Sequence, residues 1–284
     1  MPTFSIIPTI SDLLAEATAK LAPHSDSARL DTELLLAFVL DKPRSYLYAH
    51  ADEKPDAERF DIFVGLVQRR CQGEPLAYIT GRREFWSMEL VVNRHTLIPR
   101  PETEVLVQQS LACLDPGPRS VLDLGTGSGA IALALAGERP EDRVVATDIS
   151  AEALAVARFN ASRLGISNIE FLAGSWFEPV AARRFDLIAS NPPYVADGDP
   201  HLELNGLPYE PVTALVAGED GLDCIRDLAR LAPAHLNQGG YLLLEHGYDQ
   251  AERVASILAE QGFTDIQHHS DLAGIPRVSS GKLA

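Results

Sequence analysis

Val121-Leu-Asp-Leu-Gly-Thr-Gly-Ser-Gly-Ala-Ile131 decides how the 284-residue chain folds. An apolar run broken only by Asp123 leads into glycines at 125, 127 and 129, with Thr126 and Ser128 between them, and then into Ala130-Ile-Ala-Leu-Ala-Leu-Ala. A buried strand, a glycine turn and a buried helix follow in that order. Glycine suits a place where the chain turns tightly and where a ligand approaches the backbone closely.

The spacing Gly125-x-Gly127-x-x-Ala130 satisfies the dinucleotide pattern. Asp148, 21 residues beyond Gly127, stands at the end of the next expected strand, where a ribose hydroxyl needs an acceptor. The loop alone leaves a nicotinamide cofactor and S-adenosylmethionine both open. Asp123 tilts the reading towards the second, because an anion in the strand before the glycines opposes a pyrophosphate and tolerates a cationic sulfonium.

From the loop to the C-terminus, strands are expected at 120–124, 143–147, 169–173, 185–190, 241–245 and 263–268. Helices are expected between several of them, at 130–137, 151–164, 222–236 and 250–261. Alternation with near-continuous apolar strands argues for a parallel sheet covered on both faces. In the other direction, apolar spacing predicts helices at 10–21, 28–40 and 60–70, with Pro43, Pro55 and Pro75 between them, hence a small bundle. Glu84-Phe-Trp-Ser-Met-Glu-Leu-Val-Val reads as a strand pair joining the two parts. Leu97-Ile-Pro-Arg-Pro-Glu-Thr-Glu then leads into a helix at 102–114, with Pro101 at its natural start.

The second strong signal is Asn191-Pro192-Pro193-Tyr194, which directly follows the apolar run Phe185-Asp-Leu-Ile-Ala-Ser. A strand ending there puts the tetrad at the carboxyl edge of the sheet, where open α/β folds bind ligands. An amide or aromatic amine is a poor nucleophile because its lone pair is delocalised. It has to be held in line, with acceptors aimed at its N–H groups. The side-chain carbonyl of Asn191 is one acceptor, and the Pro192 carbonyl, held by two residues of fixed φ, is the second. Tyr194 offers a flat apolar face for a planar group.

Composition limits the alternatives. The net charge is −16, and it is uneven: residues 1–83 carry 10 basic and 12 acidic residues, and residues 84–284 carry 14 and 28. An excess of −14 in the second part repels phosphate and anionic lipid. Three widely spaced cysteines, Cys71, Cys113 and Cys224, suit neither a disulfide framework nor a metal site, and the expectation is a soluble protein of the cytoplasm.

With these residues in place, the sequence resembles the glutamine-N5 methyltransferases of peptide chain release factors, the HemK/PrmC family. The resemblance covers nearly the whole chain. It includes Gly73-Glu-Pro-Leu-Ala-Tyr-Ile-Thr-Gly, Leu97-Ile-Pro-Arg-Pro-Glu-Thr-Glu, Asp123-Leu-Gly-Thr-Gly-Ser-Gly, Ser190-Asn-Pro-Pro-Tyr, Tyr209-Glu-Pro and Leu242-Leu-Leu-Glu-His-Gly. It implies a seven-stranded Rossmann-like α/β methyltransferase domain preceded by a small all-α bundle. The parts would be a bundle at 1–83 that recognises substrate, a β-hairpin linker at 84–98 and a class I methyltransferase domain at 99–284.

The implied activity is N5-methylation of the Gly-Gly-Gln glutamine of class I release factors. S-adenosyl-L-methionine would be the donor and S-adenosyl-L-homocysteine the product, with no metal, no membrane and no direct nucleic-acid contact. The implied cofactor residues are Gly125, Thr126, Gly127, Ser128, Gly129, Asp148, Trp176 and Asn191. Asn191, Pro192, Pro193 and Tyr194 would bind substrate, with Asn191 and Tyr194 in the catalytic role. Ser175 departs from the family, which often has an acid there. Arg100 and Glu102 are read as organising the site's edge or forming a salt bridge, and His246 as a packed histidine. An adenine methyltransferase of nucleic acid shares the tetrad, but would want a basic groove. A catalytically silent binding module is disfavoured by the intact tetrad.

Overall fold

The first helix begins at a reciprocal cap. The Thr9 hydroxyl accepts the Asp12 N–H at 3.2 Å while the Asp12 carboxylate accepts the Thr9 N–H at 3.2 Å. The computed structural model describes residues 7–203 and 206–284. It divides into two units, one ending at Gly81 and including the segment 203–209, the other holding the rest.

The helical unit contains α1 (Ile10–Leu21), α2 (Ala28–Leu40), α3 (Arg44–Ala49), α4 (Ala57–Cys71) and α5 (Leu76–Thr80). Leu13, Leu21, Leu35, Leu36, Leu47, Phe63 and Val67 close its core. Helix α4 starts three residues earlier than its apolar spacing suggests, because the Asp56 side chain accepts the Arg59 N–H at 2.8 Å and caps it. Helices α3 and α5 have six and five residues, too few to show a helical period. Tyr209 belongs here too, its hydroxyl donating to the Gln72 carbonyl at 3.1 Å.

The second unit opens with the hairpin β1 (Arg82–Phe85) and β2 (Met88–Val91). The hairpin therefore occupies 82–91 rather than 84–98, and residues 92–98 carry no strand. Its turn is Trp86-Ser87, both at positive φ (51° and 57°), a conformation normally signalled by Asn or Gly. Then come α6 (Thr103–Cys113), β3 (Ser120–Leu124), α7 (Ala130–Glu138), β4 (Arg143–Asp148), α8 (Ala151–Leu164), β5 (Ile169–Ala173) and β6 (Phe185–Ser190). After these follow α9 (Asp223–His235), β7 (Leu236–Glu245), α10 (Ala251–Glu260), β8 (Phe263–Ser270) and β9 (Pro276–Leu283).

The seven strands run in the order β5-β4-β3-β6-β7-β9-β8. The first five are parallel, and β9 is antiparallel to both of its neighbours. Helices α6 and α7 cover one face of the sheet, around Leu106, Leu133 and Leu187. Helices α9 and α10 cover the other, around Leu228, Val254 and Leu242. Every residue of α7 from Ala130 to Ala136 is buried, as its unbroken apolar run requires. Strand β7 begins at Leu236, earlier than expected, because a bulge carries the ladder across the glycines at 239 and 240. Among the described residues no helix is long and apolar enough to cross a membrane.

Candidate active site

Strands β4, β3 and β6 lie side by side, and the chain switches from one half of the sheet to the other between β3 and β6. Their carboxyl ends therefore bound a crevice, the place where open α/β sheets bind ligands. The crevice is a cavity of about 280 Å³, walled in part by Gly125, Gly127, Asp148, Trp176, Asn191 and Pro193.

Each wall has a local cause. The N–H groups of Gly125 and Thr126 both donate to the Thr147 carbonyl at 2.9 Å, which turns the chain off the end of β3. Gly125 sits at φ +74°, and a Cβ there would lie 3.4 Å from the Trp176 ring, so glycine lets the aromatic wall close in. Asp148 accepts the Gly127 N–H at Oδ2 and the Ser150 N–H at Oδ1, both at 2.8 Å. Each carboxylate oxygen keeps further acceptor capacity for a ligand. Burial raises the Asp148 pKa, with those backbone donors pulling the other way. Trp176 stands at φ +45°, its carbonyl accepting the Thr147 hydroxyl at 3.1 Å.

The remaining loop residues hold the loop rather than line the cavity. Thr126 is buried, with its hydroxyl on Asp123 at 2.6 Å. Ser128 is buried, with its carbonyl accepting Asn160 Nδ2 at 2.9 Å. Gly129 lies where a Cβ would meet Leu133 at 3.0 Å and Ala157 at 3.2 Å, so it serves the packing of α7 against α8.

Asp123 lies in β3, two residues before the first glycine of the loop. It is 0% exposed, and burial pushes its carboxyl up to about 7 against the pull of the Thr126 hydroxyl and the Ala132 N–H. Its Oδ1 is buried without a partner.

In the tetrad, Asn191 Nδ2 donates to the Thr103 hydroxyl at 3.2 Å, which leaves the Asn191 carbonyl oxygen for the cavity. Pro192 and Pro193 are buried. The Tyr194 ring packs against the core on the α9 and α10 side. Its hydroxyl donates to Glu245 Oε1 at 3.2 Å, and Gln250 Nε2 donates to its carbonyl at 3.0 Å. Burial first, then the Glu245 charge, drives the Tyr194 phenol far above its usual value, so it stays protonated. Tyr194 thus anchors the tetrad.

A model described as the PrmC N-terminal domain matches residues 12–81, and one described as the methyltransferase small domain matches residues 102–205. A release factor glutamine methyltransferase of Xylella fastidiosa (strain Temecula1) is 47% identical over 277 residues, covering 97% of this chain and 98% of that protein. One of Yersinia pestis is 50% identical over 261 residues, covering 92% and 94%. The chain belongs to the release factor glutamine methyltransferase family. Solved structures agree at the level of fold. A methyltransferase from Pyrococcus furiosus gives a TM-score of 0.52 at 20% identity, covering 69% of this chain and 88% of that one. The 16S rRNA N2 G1207 methyltransferase of T. thermophilus, solved with AdoMet and guanosine, gives 0.51 at 20% identity, covering 72% and 50%.

In this member of the release factor glutamine methyltransferase family, Arg100 pairs with the buried Glu210, which also accepts the Ile98 N–H at 3.0 Å. The Ile-Pro-Arg-Pro segment is thereby tied to Glu210. Glu102 stands at the start of α6 without capping it. The Ser175 N–H donates to the Glu178 carboxylate at 3.2 Å, so an acid does reach that corner, from three residues further on. His246 is fully buried, with Nε2 2.8 Å from the Ser279 hydroxyl.

Sequence reasoning missed part of the wall. Ile149, 74% exposed, follows Asp148, and Leu97, Pro211 and Cys224 also line the cavity. Ile149 had a usable signal, an apolar residue directly after Asp148 at a strand end. Asn160 had none: its amide holds Val91 and Ser128 together from α8.

Proposed function

We propose that this protein transfers the methyl group of S-adenosyl-L-methionine to the side-chain amide nitrogen of the glutamine in the Gly-Gly-Gln motif of class I peptide chain release factors, acting in translation termination. The residues present fit that cofactor. Asp148 has acceptor capacity left for ribose hydroxyls, the Gly125 and Gly127 floor carries no Cβ, and Trp176 supplies an aromatic wall. When bound, the cofactor supplies a methyl group already activated on a sulfonium, which leaves as S-adenosyl-L-homocysteine.

The protein's own part is alignment and hydrogen bonding. Asn191 Oδ1 and the Pro192 carbonyl accept the two N–H bonds of the substrate amide and release its lone pair towards the methyl carbon. These contacts strengthen as the N–C bond forms, which is where catalysis is gained. The surplus proton leaves the nitrogen after transfer. The observation that carries the reading is Asn191 Nδ2 held by Thr103, which leaves the acceptor end of the amide facing the cavity that Asp148 also lines. The helical unit is assigned to recognition of the release factor, and the protein to the cytoplasm where those factors act. The acidic excess of residues 84–284 favours a protein over a nucleic-acid substrate. Incubation with methyl-labelled S-adenosylmethionine, purified release factor and bulk RNA and DNA tests this. Label is expected in the release factor, and label in nucleic acid instead would overturn the reading.

A further inference from the structure

Asn191 serves as an acceptor only if its amide is held one way round. Its oxygen and NH₂ ends have nearly the same shape, and half a turn would aim donor hydrogens at the substrate's own N–H. Asn191 Nδ2 lies 3.2 Å from the hydroxyl of Thr103, which is 3% exposed at the first residue of α6. Thr103 lies close enough to Glu245, 1% exposed at the end of β7, for its hydroxyl to pull the carboxyl's pKa down against the larger effect of burial. Glu245 Oε1 accepts the Tyr194 hydroxyl at 3.2 Å, and Oε2 is buried with no partner. A buried acceptor left without a donor is costly, so a nearby donor is drawn to it.

A threonine hydroxyl has one hydrogen and two lone pairs. When Glu245 is ionised and takes that hydrogen at Oε2, Thr103 meets Asn191 with lone pairs only, and only the NH₂ end of Asn191 can pair with them. We propose that Thr103 and Glu245 are positioning residues: the Glu245 carboxylate takes the Thr103 hydrogen, and Thr103 then locks the Asn191 amide with its oxygen towards the substrate glutamine. Through Tyr194 the same carboxylate holds the other end of the tetrad. The inference rests on the functional reading above.

Two measurements test it. In ¹⁵N-labelled protein without substrate, the Asn191 side-chain NH₂ should exchange slowly, lose that protection in Thr103→Val and regain it in Thr103→Ser. In turnover on a Gly-Gly-Gln release factor, Thr103→Val should lower kcat about tenfold, with KM and cofactor affinity unchanged, while Thr103→Ser stays close to wild type. Glu245→Gln should move kcat the same way, and it carries the comparison if Thr103→Val does not fold. Wild-type kcat in Thr103→Val, or Asn191 protection indifferent to the hydroxyl, overturns the proposal. Wild-type enzyme that transfers no methyl to the factor defeats the functional reading instead, and the exchange measurement still judges the lock.

Discussion

Glu33 in the helical unit and Asp123 in the sheet unit are buried to the same degree, at 1% and 0% exposure, yet burial ends differently for each. Glu33 receives Arg29 Nε at 2.5 Å, Arg44 Nε at 3.1 Å and the Tyr48 hydroxyl at 2.5 Å. Burial pushes its carboxyl up, but these donors together outweigh it and hold the group at about 2. Asp123 has one hydroxyl and one backbone N–H, both on Oδ2, and burial prevails at about 7. Glu245 is also pushed up to about 7 by burial, its Oε2 unpartnered. The helical unit uses its buried acid as a saturated knot. The sheet unit leaves acceptor capacity free on acids just before the glycine loop and beside the tetrad, where side chains have to be aimed.

The widest contrast is in stability against pH. The Asp123 carboxyl has a folded pKa above its unfolded value, so the native state holds the extra proton between about pH 4 and 7. Stability falls as pH rises through that window. The shift from 3.8 to about 7 sets a ceiling of about 4 kcal/mol on that loss. Asp123→Asn should flatten this part of the curve in denaturant melts. An unchanged slope would remove Asp123 from the contrast. Glu33 has the opposite sign. Its folded value lies below its unfolded one, so its contribution is present above about pH 4.5 and lost as pH falls towards 2.

Next in size is the tetrad. Asn191→Ala should lower kcat by roughly 10²–10³ with a smaller change in KM, the cost of losing one preorganised acceptor. Asn191→Asp keeps acceptor oxygens and adds a charge beside a buried carboxyl. Steady-state methyl transfer separates the two variants. Asp148→Ala should weaken S-adenosylmethionine binding by roughly ten- to a hundredfold while the fold persists, as calorimetric titration would show. The smallest effect belongs to the saturated knot. Glu33→Gln should cost about 1 kcal/mol, because Arg29 and Arg44 are half exposed and regain water, and it should leave cofactor affinity untouched. A loss of cofactor binding in Glu33→Gln would break the division of roles.

How much of this was legible depended on how locally each feature is encoded. Strands β3, β4 and β6 announce themselves because both of their faces are buried and their runs are nearly continuous in apolar residues. The three glycines and Asp148 have fixed spacing. Strand β9 was missed: Pro276, Arg277, Ser279, Ser280 and Gly281 show no strand pattern. It stands between β7 and β8 in antiparallel ladders to both, with Ser279 paired to His246 and His268 and Ser280 to His269. The Trp86-Ser87 turn lacks the residues that normally mark positive φ. The upward push on the Asp123 carboxyl was not legible, because burial by the whole sheet causes it. Thr103 and Glu245 gave no signal as partners of the tetrad, since α6, β6 and β7 bring them together only in the fold.

The central claim is that the Asn191 acceptor serves a glutamine amide. It is tested most directly by methyl transfer from labelled S-adenosylmethionine to a class I release factor, with the same factor carrying Gln→Ala in its Gly-Gly-Gln motif as the comparison. The account predicts label on the first at the glutamine side chain, none on the second, and at least a hundredfold slower labelling of the first by Asn191→Ala. Undiminished labelling of the altered factor, or near-normal turnover by Asn191→Ala, would contradict it.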